Sequence, residues 1–319
     1  REPGGTRGCS RRDSAISTID TTAAGRLLSV RYLDAATTRT CLSMSDAITA
    51  MERAFGDDRE TPVRNQLGPS LFMPGRVAND TGVKVVSTVP GKPFGIVAVF
   101  DGDGACRGLV DGPTLTAIRT AAGAGLATRL LARPDARTMA MLGAGAMALD
   151  QIVAIQEVRP ILDVLIWSRD SQHAKALASR VGGEVAADPS EAVSAADIVS
   201  TATPSRRPLF AAGAVRPGTH INAVGAFTQE MCEIPPEVVR HARVFVDDIA
   251  AAAAEAGDLL QADRQPDGTI ADLMAGRKTG RNNAEQITFF KSVGIASQDV
   301  AAGVAALIEA DRKNLGIVL

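Results

Sequence analysis

The sequence predicts an α/β protein with a central, doubly wound parallel sheet and a separate α+β domain. Its 319 residues exceed the usual size of one domain and suggest two. Over residues 138–247, short apolar runs alternate with helical stretches, as parallel strands and crossover helices do. Aromatic residues make up only 3% of the chain, against 30 glycines. Small aliphatic side chains must therefore fill the core, which suits helices packed closely on a buried parallel sheet.

Charge and composition exclude several classes of protein. Lys and Arg total 34 and Asp and Glu total 36, so a net charge of −2 draws the chain neither to nucleic acid nor to an anionic membrane. The sequence lacks an apolar run of membrane-spanning length, and its first residues lack the apolar stretch of a signal peptide. We therefore expect a cytoplasmic protein. Neither a metal site nor a disulfide framework is expected, because no CxxC pair occurs among Cys9, Cys41, Cys106 and Cys232.

Local patterns predict the elements of the first domain. Residues 1–25 are rich in Arg, Gly, Ser and Thr without apolar periodicity, and we expect an extension that carries no chemistry. We expect the folded part of the chain to begin at the apolar run 27–30. A helix with one apolar face is predicted over 45–55, with Ser45 as its N-cap. A strand meander and a small-residue helix should follow, at 83–89, 96–100, 108–110 and from Thr114 to Pro134.

Six short apolar runs predict the parallel sheet, with helical stretches such as 170–181 between most of them. The predicted strands lie at 138–142, 163–167, 184–187, 197–201, 219–224 and 243–247. The tail from Thr288 is predicted to be one long amphipathic helix that returns to the first domain.

A glycine-rich turn predicts a dinucleotide site. The strand at 138–142 leads into the GxGxxA sequence of residues 143–148, and a helix follows at 147–156. Glycines permit a tight turn and a close approach to a pyrophosphate, while the helix N-terminus offers free N–H donors. In a chain this rich in Gly and Ala, the same sequence also occurs as small-residue packing. Its place between a strand and a helix, at the start of a βαβ series, favours the nucleotide.

The end of the second strand predicts which dinucleotide binds. An NAD site places an acid there for the ribose hydroxyls, whereas an NADP site uses arginine. Here the strand ends in Ser168 and Arg169, whose guanidinium can fork onto a 2′-phosphate. NADPH is therefore the expected cofactor, with NADH as the alternative because Asp170 comes next and Arg169 could be an ordinary solvated residue.

From residue 27 to 319 the sequence resembles the ornithine cyclodeaminase/mu-crystallin family. The motifs that carry the resemblance are PVR at 62–64, MP at 73–74, GVKVVS at 82–87, Pro90, LTAIRTAA at 115–122, GAGAMA at 143–148, TATP at 201–204, INAVGA at 221–226, FKSVG at 290–294 and QD at 298–299. The resemblance implies a homodimer. It also implies a substrate-binding and dimerisation domain at 26–125 with 295–319, and a Rossmann domain at 126–294.

Three cations of the first domain are candidates for substrate binding and catalysis. Taken singly, Arg64 could be a loop charge, Lys84 a strand-edge residue and Arg119 a helix residue that reaches water. The resemblance implies that they meet at the interdomain cleft and bind the carboxylate of an imino or amino acid, with Arg119 also close to the cofactor. Arginine would orient the carboxylate with two hydrogen bonds, and lysine would add a point charge.

The resemblance also implies the cofactor contacts and two walls of the substrate site. Phe227 and Val293 would face the substrate. The cofactor contacts would be Gly143, Gly145, Ala146, Met147, Ser168, Arg169, Thr203, Val224, Gly225, Ala226 and Ser292.

At residue 227 the sequence differs from the one that the resemblance implies for an ornithine cyclodeaminase. The resemblance places an Asp at residue 227, where this chain has Phe, and a phenyl ring cannot accept a proton. Glu230 and Glu233 follow, but neither is assumed to swing into that place, and Cys232 replaces a basic residue. The departure favours reduction of a cyclic ketimine, Δ1-pyrroline-2-carboxylate or Δ1-piperideine-2-carboxylate, to L-proline or L-pipecolate.

Other interpretations stay open. A cyclodeaminase of ornithine or lysine with a relocated base would release ammonia without net oxidation of its dinucleotide. An amino-acid dehydrogenase and a non-catalytic protein that binds NADPH and a small carboxylate are also compatible with the three cations. We expect His173, His220 and His241 to be structural, Asp247 and Asp248 to form a solvated strand end, and Asp299 to be a structural polar contact.

Overall fold

The computed structural model of the chain describes residues 30–89, Gly91 and 94–319. The predicted extension at 1–25 and most of the run 27–30 lie outside this part. The first sheet has the order β16-β1-β7-β6-β5-β4-β2, with β3 on β4, and its strands β4 to β7 form an antiparallel meander. Its elements before the second sheet are β1 (Arg31–Leu33), α1 (Ala35–Cys41), α2 (Met44–Ala54), β2 (Arg59–Glu60), β3 (Asn65–Leu67), β4 (Ser70–Val77), β5 (Asp80–Ser87), β6 (Gly95–Phe100), β7 (Cys106–Asp111) and α3 (Gly112–Leu131).

The second sheet is entirely parallel, with the order β10-β9-β8-β11-β12-β15-β13-β14. It confirms the predicted doubly wound fold, because the chain starts at β8 and builds outward on both sides. The elements from there on are β8 (Thr138–Leu142), α4 (Ala148–Val158), β9 (Asp163–Trp167), α5 (Ser171–Val181), β10 (Glu184–Val185), α6 (Pro189–Ala195), β11 (Ile198–Thr201), β12 (His220–Ala223), α7 (Pro236–His241), β13 (Arg243–Val246), α8 (Ile249–Glu255), α9 (Gly257–Ala262), β14 (Gly268–Thr269), α10 (Ile270–Met274), β15 (Thr288–Lys291), α11 (Ala296–Lys313) and β16 (Ile317–Val318).

The prediction of one helix from Thr288 is wrong. Residues 288–291 form β15, a fully buried central strand, and the helix begins only at Ala296. The run suits such a strand because it is mostly β-branched and aromatic, and the charge of Lys291 is neutralised by Asp258 at 2.8 Å. Gly294, at φ +81°, then turns the chain between the strand and the helix.

The N-cap of α2 also differs from the prediction. Ser43, not Ser45, caps the helix, since its hydroxyl accepts a hydrogen bond from the Asp46 N–H at 3.2 Å. Ser43 has the extended backbone of an N-cap, which leaves Ser45 inside the first turn.

Helix α11 packs across the first sheet at very short range. A Cβ on Gly303 would lie 2.9 Å from the Val99 side chain, and one on Gly75 would lie 2.8 Å from the Ala296 side chain. This close approach places Asp299, on the first turn of α11, beneath strand β5. Within the described residues, no helix combines the length and the apolar character needed to cross a bilayer.

Candidate active site

Lys84, Arg119 and Asp299 form a buried ionic cluster at the junction of β5, α3 and α11. The carboxylate of Asp299 lies 2.9 Å from the Lys84 Nζ and accepts a hydrogen bond from the Arg119 Nε at 3.0 Å. All three side chains are at most 6% exposed. The cluster therefore holds two cations and one anion, and it keeps one uncompensated positive charge for a ligand.

Burial sets the protonation behaviour of this cluster. It lowers the pKa of Lys84 to about 8, helped by the charges of Arg119 and Arg64 and opposed by Asp299. Burial alone would raise the pKa of Asp299, but the two neighbouring cations outweigh it and lower that pKa. Lys84 can therefore exchange a proton near neutral pH, while Asp299 stays ionised.

Arg64 lies apart from this cluster, in the loop between β2 and β3. Its Nη2 pairs with the carboxylate of Glu255, at the end of α8, and also donates to the Val293 carbonyl at 3.3 Å. Burial raises the pKa of Glu255 although Arg64 opposes this. Nothing in the sequence singled out Glu255, which follows a run of alanines that is typical of an ordinary helix.

One cavity of about 560 Å³ brings the predicted substrate residues together. Its charged lining residues are Arg64, Lys84 and Arg119, and hydroxyl side chains, including that of Ser292 after β15, add further polar surface. Its apolar walls come from both sheets and include Leu71, Met73, Val86, Val224, Phe227 and Val293. The cavity therefore suits a small ligand with one carboxylate and an apolar body.

The glycine turn after β8 has the form that a dinucleotide requires. Gly143 has φ +107°, and a Cβ there would lie 2.8 Å from the Thr203 side chain. A Cβ on Gly145 would meet nothing within 4 Å, so the turn is open on its outer side. Helix α4 begins at Ala148 without a side-chain cap, which leaves N–H donors for a phosphate, and Met147 lines the large cavity next to it.

A smaller cavity of about 320 Å³ lies beside this turn, and its lining includes Gly145, Ala146, Arg39, Asp150, His173 and Arg180. Arg39 reaches it from α1 and pairs with Asp150 of α4 at 2.8 Å. Two arginines and one aspartate leave this cavity with a net positive charge, which suits a phosphate group.

The residues after β9 include the predicted ribose contacts. Ser168 is partly exposed and Arg169 is exposed, next to the first turn of α5. Asp170 caps α5, accepting hydrogen bonds from the N–H groups of Gln172 at 2.9 Å and His173 at 3.4 Å. These bonds lower the pKa of Asp170 and orient its carboxylate toward the helix.

The loops after β11 and β12 are tied together by Glu233. Its carboxylate accepts hydrogen bonds from the Thr203 N–H at 2.7 Å and hydroxyl at 2.8 Å, and from the N–H groups of Gly225 at 2.8 Å and Ala226 at 3.0 Å. Burial, with the nearby charge of Asp258, raises the pKa of Glu233. With its oxygens engaged in this way, Glu233 cannot serve as the missing base beside Phe227.

Two other predictions concern polar residues outside the cavity. His220 is buried and contacts the Thr288 hydroxyl at 3.0 Å and the Asn222 side-chain oxygen at 3.1 Å. Burial lowers its pKa to about 3, so it is a neutral structural residue. The prediction of a solvated Asp247 is wrong, because that residue is fully buried and only its neighbour Asp248 is partly exposed. Across the described ranges, no three His, Cys, Asp or Glu residues are arranged to hold a metal ion.

Known proteins resemble this chain over most of its length. A model of the ornithine cyclodeaminase/mu-crystallin family matches residues 33–311. The Delta(1)-pyrroline-2-carboxylate reductase of Bacillus cereus is 35% identical over 285 residues, which cover 80% of this chain and 87% of that protein.

Two solved structures share the fold. The Delta(1)-pyrroline-2-carboxylate reductase of Thermococcus litoralis, in complex with NADH and L-proline, matches with a TM-score of 0.86 and 29% identity, over 91% of this chain and 100% of that one. An archaeal alanine dehydrogenase dimer with bound NAD matches with a TM-score of 0.85 and 28% identity, over 91% and 98%. Together with the family match, these similarities confirm the resemblance seen in the sequence motifs: the chain belongs to the ornithine cyclodeaminase/mu-crystallin family.

Proposed function

We propose that the protein is an NAD(P)H-dependent reductase of cyclic ketimines that works as a homodimer. Its substrate would be Δ1-pyrroline-2-carboxylate or Δ1-piperideine-2-carboxylate, and its product L-proline or L-pipecolate. The observation that carries the proposal is the large cavity, which combines the buried Lys84–Asp299–Arg119 cluster with an apolar Phe227 in place of an acid. The reductases of B. cereus and T. litoralis named above support it.

The residues of the cavity fit the parts of such a substrate. Arg119 and Lys84 supply the positive charge that a carboxylate needs, and Phe227 and Val293 offer apolar contact to ring methylenes. A dinucleotide bound at the glycine turn would supply the hydride for the C=N carbon. The imine nitrogen then takes one proton, which Lys84 can donate because its pKa of about 8 keeps it protonated but acidic at neutral pH.

Arg64 has to change partners to take part. Its Nη2 is already paired with the carboxylate of Glu255 and with the Val293 carbonyl, so a substrate carboxylate has to compete for this side of the guanidinium. We propose that the substrate carboxylate replaces Glu255 on Arg64 when it enters the cavity. Glu255 would then compete with the substrate and lower its apparent affinity.

The proposed cofactor is NADPH. Arg169 stands at the end of β9, the smaller cavity by the glycine turn is lined by Arg39 and Arg180 with one acid, Asp150, and Asp170 is engaged as a helix cap. Because the solved relatives bind NADH and NAD, both reduced dinucleotides need to be compared at equal concentration. A higher kcat/KM with NADPH is expected, and an equal or higher value with NADH would contradict this preference.

The activity is tested by oxidation of NADPH and NADH with each of the two ketimines. Turnover that depends on the ketimine and forms proline or pipecolate is the expected result. Ammonia release from ornithine or lysine, without net oxidation of the dinucleotide, would instead identify a cyclodeaminase. Binding of a dinucleotide and a small carboxylate without either reaction would identify a binding protein.

A further inference from the structure

Asp247 follows β13 with a fully buried carboxylate. Its Oδ2 accepts three hydrogen bonds from a single turn: from the Ser292 hydroxyl at 2.9 Å, the Val293 N–H at 3.0 Å and the Gly294 N–H at 2.8 Å. Its Oδ1 accepts the N–H of Asp248 at 3.0 Å. A buried carboxylate is tolerated only where donors replace its water. Three of these four donors belong to the turn, and their bonds to one oxygen fix the turn in one conformation.

The same turn contacts both arginines of the large cavity. The Val293 carbonyl accepts a hydrogen bond from Arg64 at 3.3 Å. Gly294 lies directly against the Arg119 guanidinium, since a Cβ there would be 2.9 Å from its Nη1. Ser292 and Val293 themselves line the cavity. The turn therefore forms one wall of the cavity and, together with Asp299 and Glu255, restricts where the two guanidinium groups stand.

We propose that Asp247 is a positioning residue of the reaction. By holding the turn at 292–294, it keeps Ser292 and Val293 in the cavity wall and sets Arg64 and Arg119 where they meet the substrate carboxylate. The proposal rests on the proposed function, because it takes the large cavity to be the place where substrate and nicotinamide meet. A displacement of about 1 Å in such a site costs on the order of a hundredfold in rate.

Two substitutions of Asp247 remove different numbers of its acceptor contacts. In Asp247→Asn, the remaining oxygen can accept the three bonds from the turn, but the new NH2 group then faces the N–H of Asp248. In Asp247→Ala, all four acceptor contacts are lost. Asp248→Asn is the matched control, because asparagine is an equally good cap for α8, where Asp248 accepts the Ala251 N–H at 3.0 Å. The substitution also weakens the pair of Asp248 with Arg59 at 3.6 Å, but neither residue lines the large cavity.

Three measurements on the full-length variants separate positioning from folding. Hydrogen exchange of the Val293 and Gly294 amides reports whether the turn is released. Fluorescence titration gives the Kd of NADH and NADPH, and calorimetry gives the Kd of pyrrole-2-carboxylate, a planar carboxylate probe, on the dinucleotide complex. Thermal unfolding shows that each variant is folded at the temperature of the titrations.

A graded loss of ligand affinity in folded protein is expected. The Kd of pyrrole-2-carboxylate should rise about tenfold in Asp247→Asn and about a hundredfold in Asp247→Ala, with faster exchange at the turn and no change in Asp248→Asn. If Asp247→Ala does not fold, Asp247→Asn carries the test. Wild-type affinities in folded variants whose turn exchanges freely would overturn the proposal. These titrations need no turnover, so a wild-type protein that binds the probe but reduces neither ketimine would refute the proposed function and leave the role of Asp247 separately measurable.

Discussion

The large cavity, which is the buried end of the candidate site, and the smaller cavity with Arg169, which form its exposed end, use positive charge in different ways. At the buried end, Lys84 and Arg119 share the carboxylate of Asp299. At the exposed end, Arg169 follows β9 with an exposed side chain, and His173 and Arg180 of α5 line the smaller cavity with exposed side chains. Charge is therefore coupled to protein stability and to proton exchange at the buried end, whereas at the exposed end it can affect only the choice of ligand.

If the buried end carries out the proton transfer, substitution of Lys84 should have the largest effect on activity. Replacing it by methionine removes the proton donor and leaves Asp299 paired with Arg119, so kcat/KM for the ketimine should fall by about a hundredfold to ten-thousandfold. Lys84→Arg is the matched control, because it keeps the charge but cannot release a proton near neutral pH. It should retain much of the substrate affinity and lose kcat, as steady-state kinetics on both variants would show. A Lys84→Met enzyme with wild-type kcat would remove Lys84 from the mechanism.

Substitution of Asp299 should destabilise the buried end strongly. Asp299→Asn leaves Lys84 and Arg119 buried without an anion, and we expect a loss of about 3–5 kcal/mol in the free energy of unfolding at neutral pH. Asp311→Asn on the same helix is the control, since its pair with Arg31 is largely exposed on the acid's side and is worth at most about 1 kcal/mol. Urea unfolding of both variants would measure the difference, and equal losses would contradict the distinction between the two kinds of pair.

The pH profile gives a further comparison. Because the reaction needs protonated Lys84, and burial lowers the pKa of that group to about 8, kcat/KM should be flat below this pH and fall about tenfold per unit above it. The exposed arginine at the other end does not titrate in this range, so dinucleotide affinity should not follow the same curve. An alkaline limb two units higher would show that Lys84 is not the titrating donor.

At the exposed end, a substitution should alter the discrimination between NADPH and NADH and leave the free energy of unfolding unchanged. Arg169→Ala removes the proposed charge-assisted hydrogen bonds to the 2′-phosphate of NADPH and should lower the NADPH/NADH ratio of kcat/KM about tenfold to a hundredfold. Lys175→Ala, on the exposed face of α5, is the matched control and should leave the ratio unchanged. If the ratio in Arg169→Ala equals that of the wild type, the 2′-phosphate is recognised elsewhere.

The smallest effect on activity is expected at Glu255. Its side chain is partly buried, so its exposure lies between that of the Lys84–Asp299–Arg119 cluster and that of Arg169. Glu255→Gln frees Arg64 from its ionic partner, so the KM of the ketimine should fall about fivefold, the value of a pair worth about 1 kcal/mol. Glu230→Gln, on the exposed loop after Phe227, serves as the control. A higher KM in Glu255→Gln would mean that Glu255 supports the substrate site and does not compete with it.

The sequence predicts those parts of the molecule that depend on local patterns. Strands β8 and β9 have the predicted bounds, because each is a short apolar run with clear turn signals. β15 was missed because only Gly294 and a few further residues separate its four residues from the pattern of α11. Nothing in a local window shows that residues 288–291 enter the middle of a sheet that starts 150 residues earlier.

The candidate site likewise contains residues that the motifs predict and contacts that only the folded chain shows. The family motifs pointed to Lys84 and Arg119, and the structure places both on one cavity. Their partner Asp299 lies on α11, 180 residues beyond Arg119, so only the folded chain shows that one carboxylate serves both cations. Asp247 was misjudged for a related reason: the sequence shows two acids after a strand, but not which of them the neighbouring turn covers.

The proposed function places the reduction of a cyclic ketimine by a dinucleotide in the large cavity. The most direct test is NADPH oxidation by the purified protein with Δ1-pyrroline-2-carboxylate, with Lys84→Met assayed in parallel and proline identified as the product. We expect substrate-dependent oxidation by the wild-type protein and loss of at least about 99% of it in the variant. No oxidation of NADPH or NADH with either ketimine, together with ammonia release from ornithine, would contradict the account.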